Sequence, residues 1–85
     1  MGEIGPAMPQ CAMLEYTARE WDLDPWAIST AGQADAILKR GDYYAASIVT
    51  ACLAMYIREK LGKMAVEEWT EISGIAFLVA KGAER

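Results

Sequence analysis

The sequence predicts an all-α fold, a compact antiparallel bundle of about four short helices. Apolar residues recur at helical spacing in four segments, and a glycine directly follows three of these segments. No segment alternates apolar and polar residues in the way that a half-buried strand does. Because the connections between the segments are short, we expect neighbouring helices to run antiparallel.

The first helix is predicted over residues 10–21. It follows an irregular arm over residues 1–9, which holds two glycines and two prolines. Leu14 and Ala18 recur at i and i+4, the spacing of residues that share one helix face. Residues 10–85 are therefore expected to form a single helical-bundle domain.

The second helix is predicted over residues 25–40. Asp24 is a good N-cap, and Pro25 suits the first helical position, where no N–H is needed. Gly41 follows two basic residues and is expected to end the helix in the left-handed conformation. Gly32 leaves open a break in the middle of this helix.

The third helix is predicted over residues 43–61, with Asp42 as its N-cap and Gly62 just after its end. The fourth is predicted over residues 64–81, where a regular apolar stripe that includes Trp69 should face the core.

The third helix begins with YYAASIVTACLAMYI, in which only Ser47 and Thr50 fall outside the apolar and aromatic set. A helix that is apolar all round is normally buried or paired with another chain, so we expect this one to be the central helix of the bundle. A membrane span is not expected, because spanning takes about 20 apolar residues and this run ends at Arg58.

The chain contains more apolar material than a small core can hide. Apolar residues other than tyrosine, together with glycine, make up 49 of its 85 residues. This is well over half of the chain, whereas the same residues make up roughly 45–50% of typical domains. Ile75, Phe77 and Leu78 extend the apolar surface of the fourth helix beyond one face. We favour a homodimer through the third and fourth helices with these three residues at the interface. An efficiently packed monomer and a complex with a different protein are the alternatives.

The composition argues against several classes of function. The net charge is −4, and its 12 acidic and 8 basic residues are mixed along the chain, so no basic stripe for direct nucleic-acid binding is formed. The absence of histidine removes Ser-His and Cys-His catalysis and histidine-ligated metals. Cys11 and Cys52 show no CxxC spacing and are expected to be reduced core residues.

The N-terminal residues lack the basic and apolar regions of a signal peptide, so a cytoplasmic location is expected. No catalytic residue and no cofactor are predicted from these features.

The segment EEWTE places Glu67, Glu68 and Glu71 where they could share a helix face and hold Mg²⁺. It resembles the ExxE half-site of the all-α MazG-like nucleotide pyrophosphohydrolases. That resemblance implies a small Mg²⁺-dependent enzyme, here with a carboxylate site formed across a dimer. In that family a second acidic helix supplies another Glu and an Asp, whereas Glu84 is the only acidic residue that follows Glu71 here. A solvated helix face is the simpler interpretation.

The sequence therefore favours a non-catalytic interaction module, a small acidic homodimer that binds another protein as an adaptor or inhibitor. Such a protein would suit a phage or mobile element that blocks a host machine. Trp26, beside Asp22 and Asp24 in an acidic turn, is the favoured partner-binding cluster, because exposed tryptophans are enriched at binding hot spots. Tyr43 and Tyr44 point about 100° apart on a helix and cannot both face one core, so one of them is a second contact candidate.

Overall fold

The computed structural model describes residues 12–83, and over these residues the chain forms four α-helices and no strand. The helices are α1 (Met13–Glu20), α2 (Pro25–Lys39), α3 (Tyr43–Leu61) and α4 (Lys63–Ala83). The predicted all-α fold is confirmed, and α2 to α4 begin and end within two residues of their predicted bounds. The predicted arm at 1–9 and the start of the first helix lie outside the described residues.

Two aspartates begin α2 and α3 as the sequence predicts. The Asp24 side chain accepts a hydrogen bond from the Ala27 N–H at 3.0 Å, and Asp42 accepts one from the Ala45 N–H at 3.2 Å. Each carboxylate thus satisfies a backbone donor that the first turn of a helix leaves without a helical partner. Pro25 follows Asp24 at the first helical position, as its fixed φ favours.

A glycine with positive φ ends both α2 and α3. Gly41 has φ 85°, its N–H donates to the Leu38 carbonyl, and the next N–H, of Asp42, donates to the Ile37 carbonyl. This pair of bonds is the Schellman motif, and it places the cap of α3 directly after the end of α2. Gly62 also has a positive φ, of 99°, and lies where the chain turns from α3 into α4.

Like α4, helix α2 contacts each of the other three helices. Its inward face is built from Ala27, Ala31 and Ala34, all fully buried, and these small side chains let the neighbouring helices approach closely. Gly32 does not break the helix: it faces α1, where a Cβ atom would lie only 2.9 Å from Oε1 of Glu15. A Cβ atom there would displace only the end of the flexible Glu15 side chain, so neither a bend nor a rigid close approach requires the glycine.

The prediction that the third helix is central is wrong. Helix α3 lies between α2 and α4 and does not contact α1, so one of its faces has no neighbour within the described residues. Leu53 and Ile57 are fully buried, whereas Cys52 on the outward side is an exposed free thiol and not the predicted core residue. Cys11 lies outside the described residues. No helix between residues 12 and 83 is long and apolar enough to cross a membrane.

Trp69 of α4 is the largest fully buried side chain and lies at the centre of the core. Its indole N–H donates to the backbone carbonyl of Thr50 in α3 at 3.1 Å, so the polar atom of the buried ring is satisfied. Its ring packs at 6.2 Å, centroid to centroid, against the half-buried Trp21 at the end of α1. Trp69 thereby contacts two of the other helices at once.

A buried aspartate of α2 holds the first turn of α1. Asp35 is only 4% exposed, and its two carboxylate oxygens accept the backbone N–H groups of Leu14 at 3.0 Å and Glu15 at 2.8 Å. These are the donors that an N-cap side chain normally satisfies, and Ala12 at the N-cap position has no side chain that can do so. Asp35 supplies the missing cap from a different helix.

Burial raises the pKa of Asp35 from 3.8 to about 6, and the two N–H donors oppose this rise without cancelling it. The folded protein therefore binds a proton at Asp35 more tightly than the unfolded chain does. This contribution to stability is fully present below about pH 4 and is lost as the pH rises through about 6.

We expect the free energy of unfolding to fall between pH 4 and pH 7 because Asp35 ionises within that range. One pKa unit corresponds to about 1.4 kcal/mol, so the shift to about 6 amounts to roughly 3 kcal/mol. Urea unfolding followed by circular dichroism across this range measures the loss. Asp35→Asn should reduce the decline, whereas Asp22→Asn, in an exposed turn, should leave the Asp35 contribution in place. Equal slopes for the wild type and Asp35→Asn would contradict the assignment.

Candidate partner-binding surfaces

A cluster of aromatic and charged side chains forms where the start of α2 meets the end of α3. The rings of Trp26 and Tyr56 pack edge to face with centroids 5.3 Å apart, and the Tyr56 hydroxyl donates a hydrogen bond to the Asp24 carboxylate. The Lys60 ammonium lies 5.7 Å from the centre of the Tyr56 ring. We call these four residues the Trp26 cluster. Trp26 itself is 51% exposed, so half of a large aromatic surface faces solvent.

The hydrogen bond between Tyr56 and Asp24 shifts the proton affinity of both groups. It is the largest cause that lowers the pKa of Asp24, and the N–H of Ala27 lowers it further. The same bond is the largest cause that raises the pKa of Tyr56. Asp24 is therefore both the helix cap and the group that orients Tyr56 against Trp26. Asp22 is exposed in the turn before it, with φ 57°.

The two tyrosines that begin α3 lie at the other end of the bundle. Tyr43 is half-buried, packs against Phe77 of α4 with ring centroids 6.2 Å apart, and has the Lys81 ammonium 5.6 Å from its ring centre. Tyr44 points outward and is 78% exposed. Tyr43 and Tyr56 are thirteen positions apart on the helix, a rise of about 20 Å. The predicted partner-binding residues thus lie in two groups at opposite ends of α3.

An exposed apolar stripe runs along the outward face of α3. Tyr44, Ile48 and Met55 are 78%, 52% and 70% exposed, and Ala51 lies exposed between them. We call these four residues the α3 stripe. Their spacing places them on one face of the helix, and no charged residue occurs anywhere from Tyr43 to Ile57. Reasoning from the sequence missed Ile48 and Met55 because it treated α3 as buried on every side.

A second exposed face on α4 mixes apolar and acidic residues. Met64, Ile75 and Leu78 are 82%, 47% and 71% exposed, and Glu68 and Glu71 lie on the same face between them. We call these five residues the α4 stripe. Two members of the predicted dimer interface, Ile75 and Leu78, belong to it. The third, Phe77, is the half-buried neighbour of Tyr43 and points elsewhere.

A shallow groove of about 380 Å³ separates α3 from α4 beside the α3 stripe. Buried Thr50 and Trp69 form part of its lining, together with the exposed side chains of Ser47, Ala51 and Thr70. Small side chains such as these let a further helix approach the backbone closely. The groove and the stripe share Ala51 and Met55 and so form one continuous surface.

The three carboxylates of the EEWTE segment are exposed on α4. Glu67, Glu68 and Glu71 do not meet other acidic residues from a second helix: nowhere in residues 12–83 do three potential metal ligands gather closely enough to hold an ion. The structure therefore does not bring together the second half of the site that the resemblance implies.

No protein-family model matches the chain, and neither a curated protein nor a solved structure is similar to it.

We expect Asp24→Ser to lower the pKa of Tyr56. Serine still caps α2 but is too short to accept the Tyr56 hydroxyl, so the main cause of the raised pKa is removed. Ultraviolet titration of phenolate absorbance measures this, and subtraction of a Tyr56→Phe titration isolates the signal of Tyr56. Asp22→Ser is the matched control and should leave the titration of Tyr56 unchanged. An unchanged Tyr56 pKa in Asp24→Ser would contradict the hydrogen bond.

Proposed function

We propose that this protein is a non-catalytic interaction module, a small acidic helical homodimer that binds another protein as an adaptor or inhibitor. The observation that carries the proposal is the α3 stripe, an uncharged apolar face on a helix whose other faces are covered by α2 and α4. Contiguous exposed apolar surface on a small soluble domain is typical of a protein-protein contact.

Covering the α3 stripe is energetically favourable because its large side chains are exposed. Full burial of a large apolar side chain contributes roughly 1.5–3 kcal/mol, and Tyr44, Ile48 and Met55 are each at least half exposed. Covering all three recovers a substantial part of this energy. The α3 stripe is therefore a better dimer surface than the α4 stripe. On the α4 stripe, the carboxylates of Glu68 and Glu71 would have to be desolvated or paired.

The partner protein is proposed to bind the Trp26 cluster. A half-exposed tryptophan, held in place by Tyr56 and flanked by Asp24 and Lys60, has the composition of a binding hot spot with a polar rim. Tyr56 and Met55 are consecutive helical residues and point about 100° apart. A partner on the cluster and a second copy on the α3 stripe can therefore bind at the same time.

The first test is the mass of the protein in solution. Sedimentation equilibrium at micromolar concentrations should give a mass near twice the 9.3 kDa of the chain. Met55→Glu should shift the protein toward monomer, because it places a charge in the middle of an apolar contact. Met64→Glu makes the same change on α4, at a residue that is more exposed still, and should remain dimeric. A monomeric wild type at all these concentrations would refute the homodimer.

The second test compares partner capture by two variants. The immobilised wild type should retain a specific protein from a lysate of the source cells, and Trp26→Ala should lose it because the aromatic anchor is gone. Tyr16→Ala removes an aromatic residue that is equally exposed, 49% against 51%, and should retain the same protein. Capture that is unchanged by Trp26→Ala would exclude the Trp26 cluster as the binding surface.

A further inference from the structure

We propose that the groove between α3 and α4 binds a small, neutral, mostly apolar molecule that carries a hydrogen-bond acceptor, and that the hydroxyl of Ser73 donates to that acceptor. The groove has a volume of about 380 Å³. Sites for small molecules typically have volumes of about 300–1,000 Å³ and a mostly apolar lining with a few polar groups. The proposal does not depend on the homodimer, because every residue that it uses belongs to one copy of the chain.

Ser73 of α4 is a buried side chain that lines this groove. It is only 9% exposed, and its hydroxyl has no hydrogen-bond partner within residues 12–83. A buried hydroxyl without a partner loses its hydrogen bonds to water and gains none in exchange. An acceptor on a molecule in the groove would supply the missing bond, so the hydroxyl of Ser73 indicates a ligand.

The other hydroxyls of the groove already have partners. Those of Ser47, Thr50 and Thr70 each donate to a backbone carbonyl three or four positions earlier in the same helix, at 2.7–3.1 Å. The buried indole N–H of Trp69 donates to the carbonyl of Thr50. Among the described residues that line the groove, Ser73 therefore has the one side-chain donor that remains available to a ligand.

The hydroxyl of Ser73 lies toward one end of the groove. Trp69 is level with Thr50 of α3, and Ser73 follows Trp69 by four residues, about 6 Å along α4. Because α3 and α4 run antiparallel, this step leads toward Ser47 and away from Met55. Met55 lies eight positions after Ser47, about 12 Å further along α3. A ligand would thus have its acceptor at the Ser73 end and its apolar body toward Met55.

The groove favours a neutral ligand over a charged one. The described residues that line it are all uncharged, so no cation among them can balance a bound carboxylate. Burial of a charge without a partner costs far more than burial of a carbonyl oxygen that accepts a hydrogen bond. The acceptor is therefore the oxygen of a ketone, an ester or an amide, and the remainder of the molecule is apolar.

Titration with methyl hexyl ketone, followed by backbone amide chemical shifts, tests the site. This ketone has one acceptor and an unbranched apolar chain. The wild type should show saturable shifts at groove residues such as Ala51 and Thr70. Ser73→Ala should raise the dissociation constant by about three- to tenfold, the loss expected for one hydrogen bond. Ser47→Ala makes the same change in the same groove, at a hydroxyl that already has a partner, and should bind the ketone as the wild type does.

Octanoate, which has a similar chain and a charged acceptor, tests the class of ligand. It should bind more weakly than the ketone at neutral pH, and equal or tighter binding of octanoate would overturn the neutral class. Equal affinity of the wild type and Ser73→Ala for the ketone, or no saturable shift in the groove, would overturn the site. Shifts confined to Tyr44 and Ile48 would assign the ketone to the α3 stripe and would also overturn it.

Protein stability provides a second test that needs no ligand. Ser73→Ala should unfold at the same urea concentration as the wild type or at a higher one. It removes a donor that has no partner, and alanine has a higher helix propensity than serine. Urea unfolding followed by circular dichroism measures the midpoint. A clearly lower midpoint would show that the hydroxyl is bonded within the folded protein, and the donor proposed for the ligand would then be absent.

Discussion

The position of α1 depends on one carboxylate that belongs to a different helix. An eight-residue helix whose N-cap residue has no side-chain hydrogen-bond acceptor would be marginal by itself in water. Asp35 of α2 supplies the cap by accepting two N–H groups of the first turn of α1, and Leu14 and Ala18 of α1 are fully buried in the core. Without this bond, α1 would have apolar contacts to hold it but nothing to fix where along α2 its first turn begins.

The alanine face of α2 makes this arrangement sterically possible. Ala27, Ala31 and Ala34 leave room for three neighbouring helices, and Gly32 leaves room for the Glu15 side chain. One consequence is that the small core holds few large side chains, chiefly Trp69, Leu14, Leu53 and Ile57. Much of the remaining apolar material of the chain lies on the surface, and this is the physical origin of the exposed stripes on α3 and α4.

The helix bounds could be predicted because they depend on local chemistry, whereas the packing order of the helices could not be predicted. Asp24, Asp42, Gly41 and Gly62 act through bonds to residues only a few positions away, so their roles can be recognised in the sequence alone. The packing order depends instead on which helices meet, and an apolar run such as α3 does not reveal which of its faces stays uncovered. Asp35 was missed, although it lies on the same inward face as the buried alanines, where an acidic residue requires a polar partner.

The candidate surfaces were predictable to a similar degree. Trp26 and Tyr44 stand out in the sequence as large aromatic residues at helix starts, and both are exposed. The roles of Tyr56 and Lys60 beside Trp26 arise from the antiparallel pairing of α2 and α3, which joins residues about 30 positions apart. Ile48 and Met55 carry no signal of exposure of their own, because their surroundings in the sequence are as apolar as those of buried Leu53.

The hydrogen bond from the Trp69 indole to the Thr50 carbonyl restricts the rotation of α3 about its own axis. A uniformly apolar helix has little reason to prefer one rotation about its own axis over another, since any face can be buried at similar gain. By holding one carbonyl of α3 toward α4, the indole fixes that angle and thereby selects which side chains point to solvent. The identity of the outward surface is thus set from within the core, by the buried ring of Trp69.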